Sequence, residues 1–422
     1  MSLNPPQKTY VYLCFVMLLM FAMLGTMLRT NRPLPNPYTP RAATPNPVGR
    51  EQLIRQIEQA IAPVLHTGTA AKGGVVLYGV RGIGKTSILR SVRRTAAVES
   101  GFVTVWTSAA KKTSILQNLP ALINKALIDN EIISKQKWFI DEFSLELNLG
   151  VAKAKMESTK KAKQPDFKWD VISVEQMLRT AASLCASHGG GRGSGLLLFI
   201  DELHAVKQSE LAILLNVFQN IADDVISSPP FMFLGAGLPI VRGVSTMAAT
   251  FGERTLFREV TTLNSSDAAL AFIEPAAELS VSYTAPAIEV LVKHANGYPF
   301  FVQLLGYNAW AVAEPNSGYI ITESDALAAV AETESDMLSM FNARFDAITK
   351  SERDFVIALA KLGGDDSVRR SDIAAALEKH TDAISMVRRQ LIAKAIITEE
   401  ERGFVKFTLP GFAAFVLDEI GN

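Results

Sequence analysis

A short glycine-rich segment of the sequence has the residue types and spacing that bind phosphate groups. Glycines let consecutive backbone N–H groups converge on phosphate oxygens, a lysine reaches the β- and γ-phosphates, and a threonine hydroxyl is a ligand for Mg²⁺. The segment therefore predicts binding of ATP with Mg²⁺, with Thr86 as a metal ligand. The residues assigned to this loop are Gly79, Val80, Arg81, Gly82, Ile83, Gly84, Lys85, Thr86 and the following Ser87.

Two acidic residues, Asp201 and Glu202, follow the apolar run Leu196–Ile200. Such a run is typical of a buried strand, and parallel sheets bind phosphate ligands at the carboxyl ends of their strands. Asp201 is therefore predicted to hold the Mg²⁺ shell, and Glu202 to orient or deprotonate an attacking water. Glu202 and Lys85 are the predicted catalytic residues of this site. His204 is assigned to the surface, without a necessary chemical role.

These motifs need a sheet to position them, and the sequence predicts one. Short apolar runs alternate with segments of helical periodicity, which indicates an α/β fold with a parallel sheet covered on both faces. The predicted strands are Gly73–Gly79, Phe102–Trp106, Leu196–Ile200, Phe231–Leu234 and Glu259–Leu263. The predicted helices of this region are Glu51–Leu65, Ser87–Val98, Ile115–Ile128, Val174–Cys185 and Ser209–Ile221.

The chain divides into segments of different character around this core, which we place at residues 48–264. An insertion near 143–168 carries a lysine-rich tract, which is either a solvated loop or a contact for nucleic acid or an acidic partner. Residues 265–348 show helical patterns with no strand between them, so we predict a helical lid. Residues 349–422 run helix, helix, helix, strand, strand, helix, which is the order of a winged helix.

Composition limits the environment of the protein. The 422 residues include 42 basic and 42 acidic side chains, so no overall charge attracts nucleic acid or anionic lipid. Cys14 and Cys185 are too few for a disulfide framework or a metal cage, which favours a reducing compartment.

The N-terminal region has a different composition from the rest. Tyr10–Leu28 is apolar and uncharged over a length that spans a bilayer. One interpretation is that Tyr10–Leu28 is a membrane anchor within an apolar segment at residues 1–28. The other is that the true start of the protein is Met27, so that the residues before it are not translated. In both cases we expect the remainder in the cytoplasm, on the inner face of a membrane if tethered. The proline-rich residues 29–47 predict a linker.

In order and spacing, these motifs resemble an AAA+ ATPase, near the border between the initiator (origin-recognition) clade and the STAND class of signal-transduction ATPases. The resemblance covers about residues 47–422. It implies that Gly49 and Arg50 lie in a motif under the adenine, and that Pro299 opens a lid helix near the nucleotide. It also implies assembly into a homo-oligomer in which an arginine finger, assigned to Arg254, completes a neighbour's site. The alternative for Arg254 is a surface arginine paired with a nearby carboxylate.

Two departures from the family pattern bear on turnover. The fourth strand runs into Gly235-Ala236-Gly237, where many relatives carry a polar sensor of the γ-phosphate. The helix after Pro299 has no arginine through Ala313, so the second sensor is also missing. Both absences favour a slow ATPase whose bound nucleotide sets a conformational state.

The predicted winged helix does not decide whether the partner is DNA or a protein. Asp382–Lys394 is the predicted recognition helix, in which Arg388 and Arg389 would face a DNA groove. The acidic residues at 399–401 would repel phosphates, and such domains also dock proteins. Our leading hypothesis is a nucleotide-controlled switch that reports to a protein partner. The alternatives are an ATP-dependent DNA-binding initiator or transposition-type accessory protein, and a membrane-tethered ATP-dependent sensor anchored through residues 10–28.

Overall fold

The computed structural model describes most of the chain, and the predicted membrane segment at 10–28 and insertion at 143–168 lie outside the described residues. It divides into two compact units, one formed by residues 43–262 with 341–422 and the other by 263–340 with the segment that ends at residue 42. Within the described part of the chain, no helix is long and apolar enough to cross a membrane. The described residues are 34–110, 113–134, 169–187, 195–224, 226, 228–241, 243, 254–399 and 403–421.

A parallel sheet lies at the centre of the first unit. Its strands are β1 (Val75–Tyr78), β2 (Val103–Ser108), β3 (Leu196–Asp201), β4 (Phe231–Gly237) and β5 (Leu256–Glu259). They lie in the order β2-β3-β4-β1-β5, and every pairing is parallel. Every residue of β3 and β4 is buried, as expected for apolar runs in a sheet covered on both faces. The order places β4 between β1, which leads into the glycine-rich loop, and β3, which ends in Asp201.

Five helices in the described part of residues 43–262 pack on this sheet. The helices Ile115–Asp129, Val171–Ser187 and Gln208–Asp223 share one core with the strands, in which Leu119, Leu178, Leu198 and Leu214 are fully buried. The predicted helices are confirmed, with ends that differ by a few residues. They are α1 (Glu51–Thr67), α2 (Lys85–Val98), α3 (Ile115–Asp129), α4 (Val171–Ser187) and α5 (Gln208–Asp223).

The fifth strand was predicted at the wrong residues. It lies at Leu256–Glu259, not at Glu259–Leu263, and pairs Val75 with Leu256 and Tyr78 with Glu259. Val260 follows the strand, and its N–H still donates to the Tyr78 carbonyl at 2.8 Å. Pairing with β1 fixes the position of this edge strand. Because an edge strand is only half buried, its residues do not have to form an apolar run.

The second unit is mainly helical. Its elements are α6 (Ser265–Ala277), β6 (Ser282–Tyr283), α7 (Ala285–Ala295), α8 (Pro299–Ala313), β7 (Ile320–Ile321) and α9 (Glu323–Asp346), of which α9 extends beyond the unit. The expectation of helices without strands was wrong here, because β6 and β7 pair in parallel. Strands of two residues leave no hydrophobic period in the sequence, so only their long-range pairing identifies them.

Residues 34–42 belong to this helical unit, although they lie in the predicted linker. The Tyr38 side chain is buried, and its hydroxyl donates to the carbonyl of Phe272 and lies 2.6 Å from the Tyr283 hydroxyl. Burial raises the pKa of Tyr38 well above its ordinary value. The Trp310 indole N–H donates to the carbonyl of Leu34 at 3.3 Å. The described part of the proline-rich segment is therefore packed on the helices.

The C-terminal residues form helices around a small sheet. The elements are α10 (Lys350–Lys361), β8 (Val368–Arg369), α11 (Arg370–Ala376), α12 (Ser385–Ala393), β9 (Ile397–Thr398), β10 (Phe404–Phe407) and α13 (Phe412–Gly421). The three strands lie in the order β8-β10-β9 and pair antiparallel. The order of the helices agrees with the predicted one, and β8 is an additional strand. The assignment of this region as a winged helix stays a prediction.

Arg388, which was predicted to face a DNA groove, is turned inward. Its guanidinium forms an ion pair with Glu399, and the side chain is only 15% exposed. The pair joins α12 to the end of β9. Arg389, the next residue, is exposed. Arg388 therefore links α12 to the end of β9 and does not face outward as predicted.

Candidate functional site

The glycine-rich loop connects the end of β1 to the start of α2. Gly79, Gly82 and Gly84 have φ values of 157°, 77° and 95°, which side chains other than glycine rarely adopt. A Cβ at Gly84 would meet no atom within 4 Å, so the backbone conformation alone requires glycine there. The loop thereby leads into the N-terminus of α2, where the first N–H groups of a helix are suited to bind an anion.

Lys85 folds back over this loop. Its Nζ donates to the carbonyl of Gly79 at 2.9 Å and to that of Val80 at 2.7 Å. Burial lowers the pKa of Lys85 to about 8, while the nearby carboxylates of Glu202 and Asp201 oppose the shift. The predicted phosphate-binding lysine is thus held inside the loop and close to both predicted acids.

Thr86 and Asp201 connect the two predicted motifs. The Thr86 hydroxyl donates to Asp201 Oδ2 at 2.8 Å, across 115 residues of sequence. Asp201 is buried at the carboxyl end of β3, and its Oδ1 accepts the N–H of Glu202 at 2.9 Å. A hydroxyl and a carboxylate side by side are oxygen ligands that suit Mg²⁺, so the residues present fit this ion. Both residues predicted as metal ligands are therefore brought together.

Glu202 lies directly beyond the strand, in a left-handed conformation with φ 53° and ψ 36°. Its side chain is 40% exposed, so its carboxylate is accessible to water. His204 Nε2 lies 3.3 Å from Glu202 Oε2, and the imidazole is only 10% exposed. His204 was assigned to the surface, and this was wrong. Its position two residues after the acid was the only sequence signal.

Of the two residues predicted to lie in the motif under the adenine, Arg50 contacts the glycine-rich loop and Gly49 contacts the start of α1. Arg50 Nη2 donates to the carbonyl of Thr261 at 2.6 Å and to that of Ile83 at 3.4 Å. The N–H of Gly49 donates to Glu51 Oε1 at 2.9 Å. Arg50 therefore connects the start of α1 to the glycine-rich loop and to the chain after β5.

Arg81 and Ser87 differ in exposure. Arg81 is exposed on the loop, and it opposes protonation of Lys85. Ser87 is buried, and its hydroxyl accepts the N–H of Thr44 at 3.1 Å. The hydroxyl of Ser87 thus binds the preceding chain at Thr44, and a contact of Ser87 with nucleotide stays a prediction.

Arg254 lies at the amino end of β5, whereas the glycine-rich loop follows the carboxyl end of the neighbouring β1. It immediately precedes β5, where its backbone packs against Gly73 before β1. Its guanidinium forms an ion pair with Asp223 at the end of α5. This is the arrangement of the alternative assignment, a surface arginine paired with a carboxylate. The chain does not bring Arg254 together with Lys85 or Asp201, and a role in a neighbour's site stays a prediction.

Pro299 belongs to the helical unit. It is the first residue of α8, a position that suits its fixed φ and missing N–H. The preceding Gly297 has φ 66°, and its carbonyl accepts the N–H of Leu263 at 2.7 Å. Pro299 thus starts a helix as predicted, whereas the lid role of this helix and its contact with nucleotide stay predictions.

A parallel sheet with a phosphate-binding loop after β1 and two acids after β3 defines a P-loop nucleotide-binding protein. Residues 46–232 match the family described as AAA ATPase domain. This match and the fold identify residues 46–232 as an AAA+ P-loop ATPase domain. Residues 338–416 match a family described only as a domain of unknown function. No curated protein matches the chain.

Two solved structures share the fold at low sequence identity. The Walker-type ATPase of Pyrococcus abyssi has 14% identity and a TM-score of 0.56, with 87% of this chain and 95% of that chain covered. The ORC2 protein of Aeropyrum pernix, in ADPNP and ADP complexes, has 14% identity and a TM-score of 0.51, with 88% and 95% covered. At this identity the similarity concerns the fold.

Proposed function

We propose that the protein is a slow, Mg²⁺-dependent ATPase that acts as a nucleotide-controlled switch. The observation that carries this proposal is the hydrogen bond between Thr86 and Asp201, since it joins the glycine-rich loop to the acids after β3. The similar fold of the ORC2 protein, described in ADPNP and ADP complexes, supports an adenine nucleotide as ligand.

Each residue of the site has a defined task. Lys85 would exchange its bonds to the loop carbonyls for the phosphate oxygens, which the loop N–H groups also bind. Thr86 and Asp201 would hold Mg²⁺, which neutralises phosphate charge when bound. Glu202 would accept a proton from the attacking water at its exposed carboxylate, as a general base.

Slow turnover follows from the end of β4. This strand lies between β1 and β3, and its last residues are Gly235, Ala236 and Gly237, which carry no polar side chain. The chain therefore offers no side chain there to stabilise the transferred phosphoryl group. We expect a turnover number below about 1 s⁻¹, under the usual range for enzymes.

The switch would act through the helical unit and the C-terminal region. Gly297-Tyr298-Pro299 is similar to the motif of the STAND class, and closure of the lid on bound ATP would set the active state. A homo-oligomer and a protein partner of the C-terminal region complete the proposal. The rival function, DNA binding through α12, is weakened because Arg388 is engaged by Glu399.

Binding and hydrolysis of ATP by matched variants test the proposal. Lys85→Ala is expected to abolish ATP binding, and Glu202→Gln to bind normally but to lose turnover by at least about 100-fold. Lys72→Ala is the control, because Lys72 is bonded to the Ala222 carbonyl and lies outside the site. Calorimetric titration and phosphate release measure the two properties. Equal turnover in all variants would contradict the proposal.

A further inference from the structure

His204 lies between Glu202 and the end of β4. Its Nε2 faces Glu202 Oε2 at 3.3 Å, and its Nδ1 accepts the N–H of Leu238 at 3.3 Å. The imidazole is 10% exposed, in the short turn Leu203–Ala205 that follows the catalytic acids. One ring thus contacts both the predicted base and the first residue after β4.

The hydrogen bonds determine which ring nitrogen carries the proton. Because the N–H of Leu238 is a donor, Nδ1 must accept and carries no hydrogen in this arrangement. The hydrogen of the neutral ring is then on Nε2, which lies 3.3 Å from Glu202 Oε2 and is placed to donate to it. A hydrogen bond between these two atoms would hold Oε2 of Glu202 and leave Oε1 as the oxygen that can face a water.

The end of β4 is shaped to accept this ring. A Cβ at Gly237 would lie 3.1 Å from Val241 Cβ and 3.3 Å from the backbone nitrogen of His204, both tighter than ordinary contacts. The missing side chain therefore lets the turn with His204 approach the strand. The end of β4 carries no polar side chain. The imidazole of His204, in the neighbouring turn, lies next to this end.

We propose that His204 is a positioning residue, which orients the Glu202 carboxylate for hydrolysis by linking it to the end of β4. The inference rests on the proposed function of Glu202 as the base. In this role His204 does not contact ATP. A displacement of Leu238 would be transmitted to Glu202 through a single ring, so the orientation of the base depends on the position of β4.

Three substitutions at this position separate the two hydrogen bonds. Gln places its amide nitrogen at the position of Nε2, and so keeps the donor to Glu202. Asn places its amide oxygen at the position of Nδ1, and so keeps only the acceptor for Leu238. We expect His204→Ala and His204→Asn to lower kcat by about 10- to 100-fold with unchanged KM for ATP. His204→Gln should keep most of the wild-type kcat. In the Glu202→Gln background, His204→Ala should cause no further loss.

The outcomes distinguish this inference from the proposed function. Loss of turnover in Glu202→Gln with wild-type turnover in His204→Ala would overturn the role of His204 alone, whereas wild-type turnover in Glu202→Gln would overturn both. If His204→Asn kept wild-type turnover and His204→Gln did not, the ring would act only by supporting β4. That result would also overturn the positioning role of His204. Melting temperatures control for folding. If His204→Ala does not fold, the Gln and Asn variants decide the question.

Discussion

Arg50 joins parts of the nucleotide site that lie far apart in the sequence. Its guanidinium reaches the carbonyls of Ile83 in the loop and Thr261 after β5. A planar guanidinium can donate to two carbonyls in fixed directions, whereas a lysine ammonium is a compact group on a flexible stem. The residue therefore connects the loop to the chain after β5.

We expect Arg50→Lys to weaken ATP binding by about tenfold, which corresponds to the loss of one hydrogen bond. Turnover at saturating ATP should not change, because the acids after β3 are not affected. Titration of ATP and steady-state kinetics measure the two effects. Arg55→Lys, an exposed change on the same helix, should leave both unchanged. Wild-type affinity in Arg50→Lys would contradict the role given to this contact.

At the scale of elements, Tyr38 determines whether residues 34–42 are a linker or part of the helical unit. Tyr38→Phe removes the hydroxyl that bonds Phe272 and Tyr283, and we expect it to lower the free energy of unfolding by about 1–3 kcal/mol. Tyr38→Ala also leaves a cavity, so the expected loss is about 3–5 kcal/mol. Denaturant unfolding measures both losses.

A matched tyrosine controls for the chemistry of this substitution. Tyr307 is 43% exposed, so Tyr307→Phe should leave stability within about 0.5 kcal/mol of wild type. Limited proteolysis gives a second measurement, since cleavage within 34–42 should be slow in the wild type and fast in Tyr38→Ala. Equal stability and equal cleavage of wild type and Tyr38→Ala would show that this segment does not contribute to the unit.

Local patterns predicted most of the core and the centre of the site. The loop, the strand before it and the acids after β3 depend on residue types within a few positions, and each was found at the predicted place. Features that depend on distant pairing were not predictable. The fifth strand is fixed by β1, β6 and β7 pair with each other, and His204 gains its role from the N–H of Leu238. The ion pair between Arg388 and Glu399 likewise forms only in the folded chain and was not predictable from the sequence pattern.

At the scale of the whole molecule, the equal numbers of acidic and basic side chains mean that particular carboxylates decide the response to acid. Glu352 is a buried carboxylate that closes a capping box with Thr349 and accepts from Lys394 Nζ at 2.7 Å. Although burial alone would raise the pKa of Glu352, the hydrogen bonds from Lys394 and Thr349 together lower it below its ordinary value of 4.5.

A carboxyl whose pKa is lower in the folded protein contributes stability above its unfolded pKa. For Glu352 this contribution should be complete at neutral pH and should disappear as the pH falls below about 4.5. Glu352→Gln can keep the capping box but removes the negative charge that pairs with the Lys394 ammonium. We expect it to cost about 1–3 kcal/mol at pH 7, and less at pH 3.5. Denaturant unfolding at several pH values measures the difference.

Asp365 provides a control of opposite sign in the same region. Burial raises the pKa of Asp365, although its carboxylate accepts the N–H groups of Gly411 and Ala413 before and within α13. Its charged form is therefore the less favourable one in the folded protein, and its protonation in acid stabilises the fold relative to the unfolded chain. Since Asn cannot gain this proton, the stability of Asp365→Asn relative to wild type should decrease as the pH falls, whereas that of Glu352→Gln should increase. If both variants changed in the same direction, general charge repulsion in acid would explain the response better than these two carboxylates.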